Sequence, residues 1–386
     1  MRWTTSRNRR DATERSPRGR RMALAALVAL VLVAAAWWSR PPDPAAEVRA
    51  HHRPLVTLER VPLPHVGRGV ERWVMIAAGG DTVVGLWRPG APQRGSRWAA
   101  VIIGGIETDD RAALLVPDSL PIGILAVSWP WKGPRHMSVP AFVASLPALR
   151  AALIRTPAAL ARGVEAVRGA YPDTRVLLLG ASLGAPPVAA AVSVARPDAL
   201  ALVDGAADLD RLLRSETTRA LGGGIAGGIL GPPAGALGAR LVSSLEPARH
   251  GAAAKGIPVL LVDSERDDRY PPECVTRLHA TFPHASRRLH PGGHMHPDDR
   301  PQLTRIIEVI WQWLNQEPEW QGRRRSTGSS AIRREGGRCR QSHGAHWRFS
   351  PGTAARLAIA TIQALLMGPV EIQITSSAMP ASSAHL

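Results

Sequence analysis

Cysteine is nearly absent from this 386-residue chain: Cys274 and Cys339 are the only two. Two thiols make no disulfide framework, and one of them falls in a segment with the composition of a tail, so no bridge between them is expected. Lysine is as scarce. Of 48 basic residues only Lys132 and Lys255 are lysine, an arginine bias that GC-rich coding explains more simply than a nucleic-acid surface does. A glycine-rich phosphate loop is missing too. The glycines within residues 222–231 lack the lysine and the preceding strand that such a loop needs.

What charge there is sits at the ends. The net charge is +17. Residues 1–21 hold eight Arg against Asp11 and Glu14, and residues 318–386 hold nine Arg against Glu319, Glu335 and Glu371. A nucleic-acid-binding face would gather the charge on a folded surface with aromatics beside it. No nucleic-acid partner is therefore expected. Apolar residues make up 45% of the chain, enough for a large buried core.

Residues 22–38 carry no charge at all. As a helix they would rise about 25 Å, slightly short of a hydrocarbon core of about 30 Å. Trp37 and Trp38 would sit at the far interface, and the arginines before them would stay in the cytoplasm. The segment reads as a transmembrane anchor with the rest of the chain exported. The alternative is a signal peptide cut after Ala36, where Ala34, Ala35 and Ala36 offer small residues, which would leave a secreted domain. Arg20-Arg21 faintly matches a twin-arginine signal. Residues 39–54 are proline-rich and read as a linker.

From Leu55 the pattern alternates. Residues 70–77 and 82–87 predict a hairpin around Gly79-Gly80-Asp81. Buried strands are expected at 98–103, 122–127, 175–179, 199–203 and 258–262. Thr156-Pro157 looks like the cap and first position of a helix running to about Gly169. A last helix is expected at about 299–316, with Ile306, Ile307, Val309, Ile310 and Leu314 as its apolar set. Strands alternating with helices imply an α/β fold, a doubly wound and mostly parallel sheet. Between the last two core strands lies an insertion, about 208–255, read either as a mobile cap over an active site or as a loosely packed helical insertion. Residues 318–386 are rich in Arg, Ser and Gly. They are expected to be mostly disordered and dispensable, with residues 354–367 as the one stretch able to form an amphipathic helix.

The chemistry concentrates at Gly180-Ala181-Ser182-Leu183-Gly184, an apolar strand running through Gly-x-Ser-x-Gly into a helix. Such a turn pushes the serine hydroxyl out at the end of the sheet, and the close helix–strand approach wants small residues two positions to either side. Pro186 and Pro187 fall in the first helical turn, where a missing N–H costs no intrahelical bond. Downstream come Asp267, in the loop after the strand at 258–262, and His294, in Pro291-Gly292-Gly293-His294 ahead of the last helix. These features resemble the α/β-hydrolase superfamily over about residues 55–317, in particular its exported or membrane-anchored esterase and peptidase-like branches and the dienelactone-hydrolase relatives. The order Ser, Asp, His is that of the superfamily.

The resemblance implies a serine hydrolase that cleaves a carboxylic ester, or an amide or thioester, with no cofactor and a small-molecule substrate. Ser182 would be the nucleophile, His294 its base and Asp267 the carboxylate that orients the imidazole. Asp268 is an alternative acid, and Asp263 reads as a strand-end residue. His290 and His296 are alternatives to His294. The amides of Leu183 and Ile106 would form the oxyanion hole. Gly104-Gly105 and Asp263-Ser264 stand where relatives often carry His-Gly, and these departures keep a second expectation open, a hydrolase-like module that binds without catalysis. His290, His294, His296, Asp298 and Asp299 are dense enough to suggest a metal site, but Asp299 stands where a metallo-β-lactamase-type signature needs histidine.

Overall fold

The computed structural model describes residues 43–90, 97–105, 108–131, 133, 139–220 and 224–316. The apolar segment at 22–38, Ile106 and the tail at 318–386 lie outside the described residues. Among the described residues, no helix is long and apolar enough to cross a membrane.

Nine strands form one sheet: β1 (Leu55–Pro62), β2 (Glu71–Ala77), β3 (Thr82–Arg88), β4 (Trp98–Ile103), β5 (Gly123–Val127), β6 (Arg175–Ala181), β7 (Ala199–Val203), β8 (Val259–Ser264) and β9 (Ser286–His290). Their order across the sheet is β1-β2-β3-β5-β4-β6-β7-β8-β9. The first three run antiparallel, and β3 meets β5 antiparallel. From β5 to β9 every pair is parallel. Parallel strands covered on both faces need apolar residues at every position rather than alternate ones. That is why Trp98–Ile103, Ala199–Val203 and Val259–Ser264 are buried along their whole length.

Among the described residues, seven helices accompany the sheet: α1 (Pro44–His51), α2 (Val139–Ala170), α3 (Ala185–Ala195), α4 (Leu209–Ala220), α5 (Ile225–Leu241), α6 (Pro272–Thr281) and α7 (Arg300–Gln316). One sheet face, through Val101, Ile103, Val127, Leu178, Leu202 and Leu261, packs on Leu160 and Val164 of α2 and on Val188 and Ala191 of α3. The other face, through Ala100, Ile102, Leu177, Ala201 and Val262, packs on Ile306, Ile310 and Trp313 of α7. A mostly parallel sheet with helices on both faces, and with the Ser182 turn at the end of a central strand, is the α/β-hydrolase fold.

The structure corrects two of the element expectations. The stretch at 39–54 is not all linker, because α1 starts at Pro44 with Asp43 as its cap, the carboxylate accepting from the Ala45 N–H at 3.0 Å. A proline at the first helical position is the reason a proline-rich stretch can still be a helix. Nor does a helix start at Thr156. The helix α2 runs through from Val139 with Pro147 and Pro157 inside it, and the Thr156 hydroxyl donates back to Ala152 O at 3.0 Å instead of capping. Burial of Ile154, Ala158 and Leu160 against the sheet holds the helix together across the missing Pro157 donor.

The insertion is helical. Gly231 and Gly235 of α5 lie where an added Cβ would come within 2.8 Å and 2.5 Å of the Cα atoms of Thr218 and Arg214 on α4. The glycine content is thus what lets two helices approach backbone to backbone, and the pair is closely rather than loosely packed. The free thiol of Cys274 is buried in α6, and burial pushes it up to about 12, so it serves packing rather than chemistry.

Candidate active site

Ser182 sits at the C-terminal end of β6, in a single 3₁₀ turn (Ser182–Gly184) that leads into α3. Its φ is +52°, a left-handed conformation that a non-glycine residue holds only when its surroundings enforce it. The enforcement is visible at the flanking glycines. A Cβ at Gly180 would meet Gly184 O at 2.5 Å, and one at Gly184 would meet Ile103 O at 2.4 Å. The turn therefore closes only with glycine at both positions. Pro186 and Pro187 occupy the first turn of α3.

The three residues singled out in the sequence lie together. Ser182 Oγ is 2.8 Å from His294 Nε2, and His294 Nδ1 is 3.1 Å from Asp267 Oδ2. With the imidazole proton on Nδ1, the serine O–H donates to Nε2 and Nδ1–H donates to the carboxylate. The other carboxylate oxygen, Asp267 Oδ1, accepts from the N–H groups of Arg269 at 2.8 Å and Tyr270 at 2.9 Å. Burial pushes the Asp267 carboxyl up, but the His294 hydrogen bond and the two backbone donors outweigh it and hold the group below its ordinary value.

The rivals are elsewhere. Asp268 is exposed. Asp263 is in β8, its carboxylate 2.7 Å from His279 Nε2, and burial pushes that carboxyl up against the pull of His279. His296 is exposed and faces Asp298 at 3.6 Å. His290 is buried, its Nε2 2.9 and 3.1 Å from the two oxygens of Asp204. Among the described residues, no three His, Cys, Asp or Glu side chains gather as a group able to hold a metal ion.

Two partners escaped the sequence reading. Tyr270 Oη is 3.2 Å from Ser182 Oγ, and its ring meets that of His294 edge-on with centroids 4.8 Å apart. Burial raises the phenol's pKa, so it stays protonated and can donate to the serine oxygen. Asp204, at the end of β7 with φ +43°, accepts from the Met295 N–H at 2.7 Å as well as from His290. Gln302 of α7 donates to Gly293 O at 2.8 Å and accepts from the His296 N–H at 3.3 Å. The residues on either side of His294 are thus tied to β7 and α7. A polar residue just beyond an apolar strand marks Asp204 in the sequence, but its partners lie 86 and 91 residues away.

Leu183 is the first residue after the serine, at the N-terminal end of the α3 segment, where a helix presents free N–H groups. Gly104 and Gly105 follow β4 beside it. Gly104 O accepts from Trp129 Nε1 at 3.0 Å, and Gly105 O from the Thr108 hydroxyl at 2.8 Å. A cavity of about 200 Å³ opens at Ser182, Leu183, Gly104 and Gly105 and runs between the sheet and α7.

No family model matches the chain, and no curated protein matches it. Solved structures do. A puromycin-hydrolysing peptidase from Mycobacterium tuberculosis aligns at a TM-score of 0.43 and 16% identity, over 64% of this chain and 44% of the peptidase, so the chain spans less than half the length of that protein. Acetyl xylan esterase 1 from Thermoanaerobacterium aligns at 0.43 and 12%, over 72% of this chain and 91% of that one. The thioesterase domain of a curacin biosynthetic pathway aligns at 0.38 and 19%, over 62% of this chain and all 100% of that one.

Proposed function

We propose that the chain is a serine hydrolase that cleaves a carboxylic ester through an acyl-enzyme. The observation that carries this reading is the continuous relay from Ser182 Oγ through His294 to Asp267, with contacts of 2.8 Å and 3.1 Å. A serine hydroxyl is a weak nucleophile until a neighbouring imidazole takes its proton. In the proposed reaction His294 Nε2 removes that proton as Ser182 Oγ attacks the ester carbonyl. Asp267 stabilises the imidazolium and keeps it in the productive tautomer. The Leu183 amide donates to the oxyanion, with the Ile106 amide as its proposed companion. His294 then protonates the leaving alcohol, and a water activated by the same imidazole releases the acid and regenerates Ser182.

Export of the domain belongs to the same proposal. It rests on the order of basic, then uncharged residues at 1–38. Protease accessibility in intact cells tests it.

A fluorophosphonate probe should label the protein covalently, and Ser182→Ala should abolish the labelling. The wild-type protein should hydrolyse p-nitrophenyl acetate, and His294→Ala should lose that activity. Labelling that survives Ser182→Ala would sink the nucleophile assignment. Correctly folded protein that neither reacts with the probe nor turns over esters of any length would favour a binding module in its place.

A further inference from the structure

The two faces of the sheet are covered unequally. The long α2 and α3 lie across one of them. Among the described residues, the other has α7 and, between β4 and β5, the 3₁₀ segment Asp109–Leu115. Its strands also present small residues there, with Ala100, Ala126, Ala181, Ala199 and Ala201 in the buried set. Small side chains leave space beneath α7, and the cavity that Ser182 helps to line lies there.

The lining is mostly apolar, with Ile102, Ile124 and Leu177 from the sheet, Leu120 from the loop before β5 and Ile307 and Leu314 from α7, while Thr108, Ser182, Arg269 and His296 supply its polar groups. Not all of the lining is buried as a closed core would be. Leu179 lies in the middle of a central strand and is only partly buried, as are Leu120, Ile307 and Trp311. Partly buried apolar side chains gathered around one void suit an apolar guest. The void is larger than the roughly 150 Å³ apolar cavity known to stay dry and take benzene.

Two measures give its length. From Leu177 to Ser182 along β6 is about 16 Å at the rise of a strand. From Leu303 to Leu314 along α7 is about 16 Å at the rise of a helix. The cavity's lining thus reaches about 16 Å along the sheet and along α7, with Ser182 at one end of the β6 part.

We propose that this cavity is the acyl-chain site, and that the substrates are esters of medium- to long-chain aliphatic acids, the chain threading between the sheet and α7 while its carbonyl rests at Ser182. The inference rests on the serine-hydrolase reading and adds the substrate class to it. Each methylene drawn from water into the cavity strengthens binding by up to about fourfold. Chain length should therefore be read directly in kcat/KM.

The test uses the full chain and a series of p-nitrophenyl esters from acetate to palmitate. The expected result is a kcat/KM that climbs by about two- to fourfold per methylene through the octanoate ester before it levels off. Ile307→Trp and Leu120→Trp reach into the void from opposite walls at partly buried positions. Each should cut the ratio of dodecanoate to acetate kcat/KM at least tenfold, with the melting temperature measured as a check on folding. Should one variant fail to fold, the other carries the comparison. Acetate turnover that does not rise with acyl length, together with an unchanged ratio in a folded Trp variant, overturns the acyl-chain site and leaves the hydrolase reading standing. Absence of turnover and of probe labelling overturns both.

Discussion

The phenol oxygen of Tyr270 stands 3.2 Å from Ser182 Oγ, and the backbone N–H of the same tyrosine donates to Asp267 at 2.9 Å. One residue thus touches both ends of the Ser–His–Asp relay. Its O–H, kept protonated by burial, donates to the serine oxygen and fixes the rotamer that faces His294.

Removing that hydroxyl should slow the chemical step. In Tyr270→Phe, kcat should fall by about tenfold, the worth of one hydrogen bond at roughly 1.4 kcal/mol, while KM stays within twofold. A matching rise in KM with kcat preserved would show that Tyr270 binds substrate instead. Steady-state kinetics on a single ester separates the two.

Asp267 supplies an acid-side prediction. Its carboxyl is held below the ordinary aspartate value. A group depressed in the folded state contributes stability above its unfolded pKa, near pH 4, and loses it as pH falls through the lower folded value. Wild type should therefore be more stable than Asp267→Asn near neutrality, and the gap should close below about pH 4. Denaturant midpoints across that range check the sign. The same variant should lose about 10³- to 10⁴-fold in kcat at pH 7, because the imidazole can then settle in the wrong tautomer.

The Asp204–His290 pair behaves in the opposite sense. Burial lowers the His290 pKa, but the Asp204 hydrogen bond and charge outweigh it and raise the value. The Nδ1 of His290 faces Pro291 O at 3.3 Å, so both ring nitrogens point at acceptors, as an imidazolium requires. A raised pKa gives stability that is complete below the unfolded histidine value, about 6.5. That stability is lost as pH rises through the folded value. The stability gap between wild type and His290→Gln should shrink as pH rises from 6 to 9. Asp204→Ala, which strands the buried imidazole, should cost about 3 kcal/mol at pH 6, measured by urea unfolding.

Backbone strain at Ser182 gives a comparison between two inactive variants. Ser182→Ala keeps a Cβ at φ +52°, whereas Ser182→Gly removes it. The glycine variant should melt about 2–3 °C above the alanine variant, a difference of about 1 kcal/mol for a domain of this size. Gly184→Ala should do the reverse: its Cβ would press on Ile103 O, at a cost of about 3 kcal/mol. Differential scanning calorimetry on the three proteins decides both.

The strands most legible in the sequence were those buried on both faces. Trp98–Ile103 and Ala199–Val203 fell within their expected bounds because a fully covered parallel strand has no polar positions to blur its ends. Ser182 and Asp267 were legible for a related reason, since each follows an apolar strand at a glycine or polar interruption, whereas His294 was marked by Gly292-Gly293 in the loop ahead of the last helix. Less could be seen at Ser286–His290, whose Arg287 and Arg288 are exposed at the margin of the sheet and give no apolar signal. The prolines misled because those before α1 read as linker and Pro157 read as the start of a helix, whereas α1 begins at Pro44 and α2 runs through Pro157. Tyr270 had no local signal, and Asp204 only that of a polar residue just past an apolar strand. Their roles exist only once residues some 90 positions apart meet.

Among the described residues, the strand β9 pairs with β8 alone, from Leu260–Ser286 to Ser264–His290, and lies at the end of the strand order. An outermost strand is where a sheet frays first on warming, and here the frayed end leads directly into the loop that carries His294. Ser182 and Asp267, by contrast, extend from strands paired on both sides. The imidazole is therefore the least securely seated member of the three, and the carboxylate of Asp204, reaching out from the interior strand β7, is its mooring. Heating should silence the serine while most of the sheet is still intact. Ester turnover should fall several degrees before the far-ultraviolet circular dichroism of the sheet changes, and Asp204→Asn should widen that interval.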